Sequence, residues 1–311
     1  MTFELSADAV RVLTRGTFCS MAAFTGGRIH LTPVVFAFDG GRLWLTTSRT
    51  SVKARAWRED PRTAGLVVDG GLAVTFSGRI RAFDLLDPKT WAASALRSPL
   101  LTRAAARFTA KNARFFAGYA RDAHKVPLSW TPPARVFASV DLEAAALLDP
   151  GSGTVVERWG AWGDRVRASS GYRSAGDGAG LIPAEDVAEA VGAEGDGALA
   201  VDGTHPAVLP CRWRTDGADY LAGVAQAHLE LAGAESQVAA GLTAQRASAW
   251  RAREMRGFLA QGEATVHLPA RARTGRASLE RDLEGLGEAL VRLRPGRLVW
   301  WSGWTTGTVS P

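Results

Sequence analysis

Hydroxyl and cationic side chains are concentrated directly behind an apolar strand near residue 45. The stretch LTTSRTSVKARAWREDP, residues 45–61, carries Thr46, Thr47, Ser48, Arg49, Ser51 and Lys53. Hydroxyls and backbone N–H groups at a strand-to-helix turn donate to phosphate oxygens, while arginine adds a forked contact and lysine a point charge. The spacing therefore indicates a phosphate-binding turn. Residue types alone favour the alternative, a solvated turn followed by a helix whose basic residues face water.

Composition predicts a soluble globular protein with room for two domains. Of the 311 residues, 46% are hydrophobic and 22% charged, and no run approaches the roughly 20 apolar residues that span a bilayer. The start MTFELSADAV lacks the basic region of a secretion signal, so we expect a cytoplasmic protein without membrane contact. Cys19 and Cys211 lie in apolar segments, which predicts buried free thiols. No histidine spacing is typical of a metal site, so we expect none.

The net charge of +6 indicates an anionic partner. Nucleic acid is one candidate, but the basic residues are scattered among acids and form no Lys/Arg block. The pattern therefore favours an anionic small molecule over nucleic acid.

The chain contains the same order of elements twice. In the first half, strands are predicted at 17–24, 29–38 and 43–48, and in the second half at 197–201, 206–213 and 220–225. Pro33 and Pro210 are equivalent at an offset of 177, as are the Asp-Gly turns that follow them. Tryptophan pairs at 159/162 and 301/304 close the two halves. These matches, in preserved order, predict a tandem duplication.

Short strands with regular glycine turns predict a mainly β protein with flanking helices, of the sandwich or barrel type. We expect a first domain at 1–168, a flexible Gly/Ser-rich linker at 169–180 and a diverged second domain at 181–311. Helices are predicted at 7–16, 88–125 and 182–192, and Ser6 is the expected N-cap of the first.

An ordered set of motifs in the first half resembles the pyridoxamine 5′-phosphate oxidase-like family of FMN-binding split barrels. The set consists of His30, Pro33, Asp39-Gly40, Trp44, Ser51-Val52-Lys53 and Asp60-Pro61-Arg62. The resemblance implies two tandem split β-barrels, which pair within one chain as a pseudo-dimer or between chains in a homodimer. A monomer with internal pairing and a homodimer both stay open at this point.

The resemblance also implies a cofactor site and a class of activity. Cofactor contacts are expected from His30, Pro33, Trp44, Thr46, Thr47, Ser48, Arg49, Ser51 and Lys53. FMN is the first expectation, F420 the alternative and haem the third, which would need an axial ligand. The implied function is an oxidoreductase acting on an unidentified small molecule, with no catalytic side chain named. A non-catalytic binding or assembly module is the alternative from another class.

The second copy has lost the cationic cluster. At the offset of 177, Arg49 corresponds to Gln226, Ser51 to His228 and Lys53 to Glu230. A glutamate beside a phosphate dianion is repulsive, so we expect the first half to bind the cofactor and the second to line the opposite wall. His30 and His205 are expected to occupy matching places after a glycine turn.

Overall fold

The structure is a computed structural model, and it describes residues 3–84, 98–121, 135–173, 191–246, 254–303 and 305–310. In this part of the chain, strands predominate and build two barrels, one in each half. No described helix combines the length and the apolar character needed to cross a membrane.

The first barrel closes through six antiparallel strands. The first half has seven strands, of which the first six form the barrel: β1 (Phe18–Thr25), β2 (Arg28–Asp39), β3 (Arg42–Ser48), β4 (Arg62–Asp69), β5 (Leu72–Phe83), β6 (Arg135–Asp149) and β7 (Thr154–Trp159). Their order is β3-β2-β1-β4-β5-β6-β7, and pairing of β3 with β6 closes the barrel, which leaves β7 as an extra strand. Tight turns such as Asp39-Gly40-Gly41-Arg42 require positive φ at both glycines, which explains the Gly-Gly pair there.

The second barrel repeats this topology strand for strand. Its strands are β8 (Glu194–Val201), β9 (Ala207–Asp216), β10 (Asp219–Val224), β11 (Gln237–Arg246), β12 (Arg256–His267), β13 (Ala289–Ser302) and β14 (Thr305–Val309). The order β10-β9-β8-β11-β12-β13-β14 closes by pairing of β10 with β13. The two barrels thus fit the tandem duplication predicted from the sequence.

The helices of the described part pack against strands of both barrels. They are α1 (Ala7–Arg15), α2 (Val52–Glu59), α3 (Ser98–Lys111), α4 (Ala113–Arg121), α5 (Gln226–Ala232) and α6 (Arg276–Leu283), with a 3-10 turn at Pro269–Arg271. Ser6 caps α1 as predicted, because its Oγ accepts from the backbone N–H of Ala9 at 3.4 Å. The helix predicted over 88–125 is confirmed between 98 and 121. Its two ends, and the helix predicted over 182–192 except its last residues, lie outside the described part.

Each barrel has its own apolar core, and a third core lies between them. Cys19 and Cys211 are buried free thiols, as predicted. The core between the barrels joins side chains of both halves, including Ile29 and Leu31 of β2 with Leu259 of β12. The Thr75 hydroxyl crosses this interface to donate to the Val208 carbonyl at 2.7 Å. The fold is therefore an intramolecular pseudo-dimer of two packed barrels.

The tryptophan pairs do not occupy equivalent positions in the two barrels. Trp159 ends β7, whereas Trp301 lies near the end of β13, one strand earlier in the topology. Trp304 lies outside the described residues. The tryptophan match was therefore wrong as a sign of duplication, although the strand order confirms the duplication itself.

The start of the predicted linker lies along the second barrel. Ser169 donates its backbone N–H to the Val266 carbonyl at 2.8 Å, and Tyr172 donates to the Thr274 carbonyl at 3.2 Å. Residues 174–180 of this segment lie outside the described part of the chain.

Candidate functional site

The turn between β3 and α2 holds the predicted hydroxyl cluster in place. Ser51 is the N-cap of α2, and its Oγ accepts from the Ala54 N–H at 3.1 Å. The same hydroxyl lies 3.0 Å from the Thr47 hydroxyl, so the strand end and the helix start are tied together. Lys53 follows two residues after the cap and is thereby fixed in the first turn of the helix.

Lys53 is a mostly buried cation whose hydrogen-bond partner is neutral. Its Nζ donates to the Thr32 hydroxyl on β2 at 2.7 Å, and no carboxylate among the described residues forms an ion pair with it. Burial and, to a smaller extent, the charge of Arg135 lower the pKa of Lys53 to about 7, although the nearby Cys19 opposes both effects. A buried ammonium without a counterion is costly unless an anion joins it. This environment therefore suits an anionic ligand.

Arg135 is a second cation at this site, and the sequence reasoning missed it. It opens β6 and pairs in register with Ser48, the last residue of β3. Its Nε donates to the Thr46 hydroxyl at 2.9 Å and its Nη2 to the Thr46 carbonyl at 3.0 Å. No local motif marks Arg135, since only the closure of the barrel brings β6 beside β3.

The second barrel contributes a third cation, Arg297 of β13. The charges of Lys53 and Arg297 both act on His30, although burial is the main reason that its pKa falls to about 3. The Arg297 Nε is buried and has no hydrogen-bond partner among the described residues. Next to it in the sheet, Gln261 donates to the Ile29 carbonyl and so fixes the second barrel against β2. We call Lys53, Arg135 and Arg297 the cation cluster.

Two of the predicted contacts lie apart from the cation cluster or are already paired. Trp44 is fully buried between Phe83 and Phe137, with ring centroids at 6.2 and 5.4 Å, and its Nε1 donates to the Asp39 carbonyl. Arg49 forms an ion pair with Asp84 at 2.6 Å. The structure thus places Trp44 in the aromatic packing beneath α3.

The remaining predicted residues lie on the elements that surround the cluster. His30 and Pro33 are half-buried on β2, on either side of the Lys53 partner Thr32 along the strand. Ser48 ends β3, and its hydroxyl is 3.1 Å from that of Thr50. The structure therefore brings His30, Thr46, Thr47, Ser51 and Lys53 together around one turn.

The corresponding turn of the second barrel is three residues shorter, which corrects the pairings predicted from a constant offset. Ala225 holds the N-cap position of α5, as Ser51 does in α2, but makes no side-chain capping hydrogen bond. The residue equivalent to Lys53 is therefore Ala227, and Glu230 lies one turn further on. The pairings of Arg49 with Gln226, of Ser51 with His228 and of Lys53 with Glu230 were therefore wrong. The conclusion that the second copy lacks the lysine still holds.

The other two cations are also absent from the equivalent positions. Glu288, which precedes Ala289 at the start of β13, takes the place of Arg135. Arg297 follows the β-bulge of β13, and the residue after the equivalent bulge of β6 is Ala144. The equivalent site of the second barrel thus has Ala227, Glu288 and Ala144 in place of Lys53, Arg135 and Arg297, respectively.

His205 does not match His30. The strand position equivalent to His30 is Ala207, the first residue of β9, and His205 lies in the loop before it. The predicted equivalence was wrong because β9 begins only at Ala207, so His205 lies in the preceding loop and not on the strand.

No group of three or more metal-ligating side chains occurs in the described residues. The polar groups at the first site are cations, hydroxyls and one neutral imidazole, which suit anions rather than metal ions.

Comparison with known proteins finds partial structural similarity and no sequence relative. No protein-family model matches the chain, and no curated protein matches it. Among solved structures, an FAD-binding protein from Mesorhizobium loti is 18% identical, with a TM-score of 0.33, over 46% of this chain and 94% of its own. A pyridoxamine 5′-phosphate oxidase-related, FMN-binding protein from Nostoc punctiforme is 17% identical, with a TM-score of 0.33, over 46% and 81%. An F420 reductase is 20% identical, with a TM-score of 0.29, over 43% and 93%.

Each of these matches covers about half of the chain. The strand topology itself defines the class: two tandem six-stranded β-barrels packed against each other within one chain. At these identities and scores the likenesses decide nothing about ligand or activity.

Proposed function

We propose that this chain binds one FMN molecule in the cation cluster and acts as a flavin-dependent oxidoreductase on a small molecule. The observation that supports this most is the mostly buried Lys53, whose partner is a hydroxyl rather than a carboxylate. A terminal phosphate carries close to two negative charges at neutral pH. Such a group would supply the counterion that Lys53 lacks among the described residues.

The residues present fit a phosphate-bearing flavin. Lys53 and Arg135 would hold the phosphate, with hydroxyl donors from Thr47 and Ser51 beside them. Arg297, with its buried unpartnered Nε, would bring a contact from the second barrel. When bound, the flavin supplies the hydride or electron chemistry.

The protein's own part is to bind, orient and shield the cofactor. The ties between Thr47, Ser51 and α2 fix the donors before a ligand arrives, so little ordering is needed on binding. His30 stays neutral because of burial and two nearby cations, and it therefore adds no further positive charge to the site. The absence of cations from the equivalent positions of the second barrel predicts one flavin per chain.

The phosphate is expected to carry most of the affinity. Protein freed of any bound chromophore should bind FMN at least about 100-fold more tightly than riboflavin, since hydrogen bonds to charged groups are worth about 1.5–3 kcal/mol each. Quenching of flavin fluorescence on titration measures the dissociation constants of FMN and of riboflavin. Equal affinities would contradict the assignment of the cation cluster to phosphate. Tighter binding of F420 would favour the deazaflavin, a Soret band on adding haem would favour haem, and no uptake of any of them would favour a non-catalytic module.

FMN affinity is expected to be greatest between about pH 6 and 7. The phosphate loses its second charge below about pH 6. Lys53 has a pKa of about 7 in the free protein, and a bound dianion would raise it, so binding above pH 7 requires proton uptake. Affinity should therefore fall as pH rises above 7, by up to about tenfold per pH unit until the pKa of the bound state is reached.

The matched variant for this pH profile is Lys53→Arg, since arginine stays protonated throughout. It should flatten the alkaline side of the profile and leave the acidic side unchanged. Titrations of both proteins across pH 5–9 test this, and an alkaline decrease that persists in the arginine variant would show that Lys53 is not its source.

A further inference from the structure

The position in the second barrel that is equivalent to the cation cluster opens into a cleft of about 720 Å³. Both barrels line it: β10, α5 and the loop 285–288 from the second, and the turns around Val68–Gly71 and 150–153 from the first. We call it the second cleft. Its volume lies within the range of about 300–1,000 Å³ typical of small-molecule sites.

The loop 285–288 gives this cleft a carboxylate. A Cβ on Gly223 would collide with Leu286, so glycine at the position equivalent to Thr46 allows the loop to pack against β10. The packed loop places Glu288 at the start of α5, where its Oε2 accepts from the Gln226 N–H at 3.1 Å. Gly223 and Glu288 of the second barrel therefore stand where the first barrel has Thr46 and Arg135.

The charge of Glu288 has no cationic partner among the described residues. Among the described residues that line the cleft, the one arginine is Arg212, which lies 4.0 Å from Asp196, so those two charges offset each other at the exposed rim. A phosphate group entering the cleft would meet the carboxylate of Glu288 where the first site presents Arg135. The second cleft thus disfavours anions and favours cations.

His228 supplies a second hydrogen-bond acceptor in the lining. Its side chain is 1% exposed, and its Nε2 lies 3.2 Å from the Thr154 carbonyl. A carbonyl oxygen only accepts, so Nε2 carries the hydrogen and Nδ1 presents a bare lone pair. The Nδ1 atom is buried without a partner in the described part of the chain. Burial lowers the pKa of His228, which keeps the ring neutral and Nδ1 an acceptor.

We propose that the second cleft is a binding site for a small organic amine or guanidinium compound. Two acceptors line the cleft, the exposed Glu288 carboxylate and the buried His228 Nδ1, and together they suit a ligand that has N–H donors and a positive charge. The duplication has thereby produced two sites of opposite preference, a cationic one and an acidic one. This inference stands on the second cleft alone and does not depend on which ligand the cation cluster holds.

Calorimetric titration of the full chain with four probes tests the proposal. The probes are butylamine, agmatine, the neutral isostere butanol and the anion butyrate, each added after saturation with FMN or, where FMN does not bind, with inorganic phosphate. We expect the two cationic probes to bind with a dissociation constant below about 1 mM and the other two not to bind. Failure of both cations to bind, or equal binding of butanol, would overturn the proposal.

Substitutions in the lining test whether the cationic probes bind in the second cleft. Glu288→Gln should weaken the binding of both cations at least tenfold, and His228→Phe, which keeps an aromatic ring but removes the acceptor, should weaken it by a similar factor. The matched control is Glu284→Gln, which removes a charge from an exposed position just before the same loop and should leave binding unchanged. Affinity that is unaffected by both Glu288→Gln and His228→Phe would place the amine elsewhere and refute the second cleft as its site.

Discussion

Replacing Lys53 with methionine is expected to reduce FMN affinity at least about 100-fold and, at pH 6, to raise the melting temperature of the cofactor-free protein. The affinity falls because the mostly buried ammonium is the proposed counterion of the phosphate. The stability rises because the folded state holds Lys53 with a pKa of about 7, well below its ordinary value of 10.5. Fluorescence titration and thermal unfolding without cofactor measure the two effects.

The stability change has a defined pH window. Between pH 7 and 10.5 the unfolded chain binds a proton at Lys53 that the folded chain does not, so the contribution of this group to stability rises with pH across that range. The full loss of folding stability caused by burying the Lys53 ammonium is present below pH 7 and has disappeared above pH 10.5. The gain from Lys53→Met should therefore be largest near pH 6, at least about 2 °C by the usual size scaling, and should diminish as the pH rises.

Lys111 offers a matched control within the same barrel. Burial also lowers its pKa, to about 8, and its Nζ lies 3.7 Å from the centroid of the Phe36 ring. Lys111→Met should leave FMN affinity unchanged, because Lys111 lies outside the cation cluster. Loss of FMN binding in both variants would indicate a general effect on the barrel, and unchanged affinity in Lys53→Met would refute the proposed phosphate site.

Replacing Arg297 with alanine is expected to weaken FMN binding about 10- to 100-fold, although this residue belongs to the other barrel. The reason is that its buried Nε has no partner among the described residues and its charge acts on His30 in the first barrel. The removal of a cation from the site should also raise the pKa of His30, since Arg297 is one of the causes that lower it. Titration with FMN and NMR of the histidine ring measure the two effects.

Arg294 on the same strand is the control for Arg297. Its side chain is exposed and pairs with Asp219, which keeps Arg292 as a second partner when Arg294 is removed. Arg294→Ala should therefore bind FMN like the unaltered chain. If Arg297→Ala also binds FMN normally, the second barrel contributes no cation to the cofactor, and the site belongs to the first barrel alone.

Local pattern was sufficient to predict six of the strands, the duplication and the polar turn that begins α2. Alternating apolar residues and glycine turns specify β1 to β3 and their copies β8 to β10, because these signals act between neighbours in the chain. Ser51 and Lys53 could be singled out for the same reason, since a cap and the first helical turn are only a few residues long. The sequence also determined that the second copy lacks this lysine.

Tertiary structure decided which charges meet. Arg135 reaches Thr46 across 89 residues because β6 closes the barrel against β3, and Arg297 arrives only through the packing of one barrel on the other. Equally, a turn shortened by three residues moved Glu230 away from the equivalent position and left Glu288 to reverse the charge. Contacts between distant segments depend on register, loop length and domain packing, which no local spacing records. The sequence by itself therefore determined the duplicated strands β1–β3 and β8–β10 and one cation, and the three-dimensional structure determined how three cations gather in the first site and how an acidic residue replaces one of them in the second.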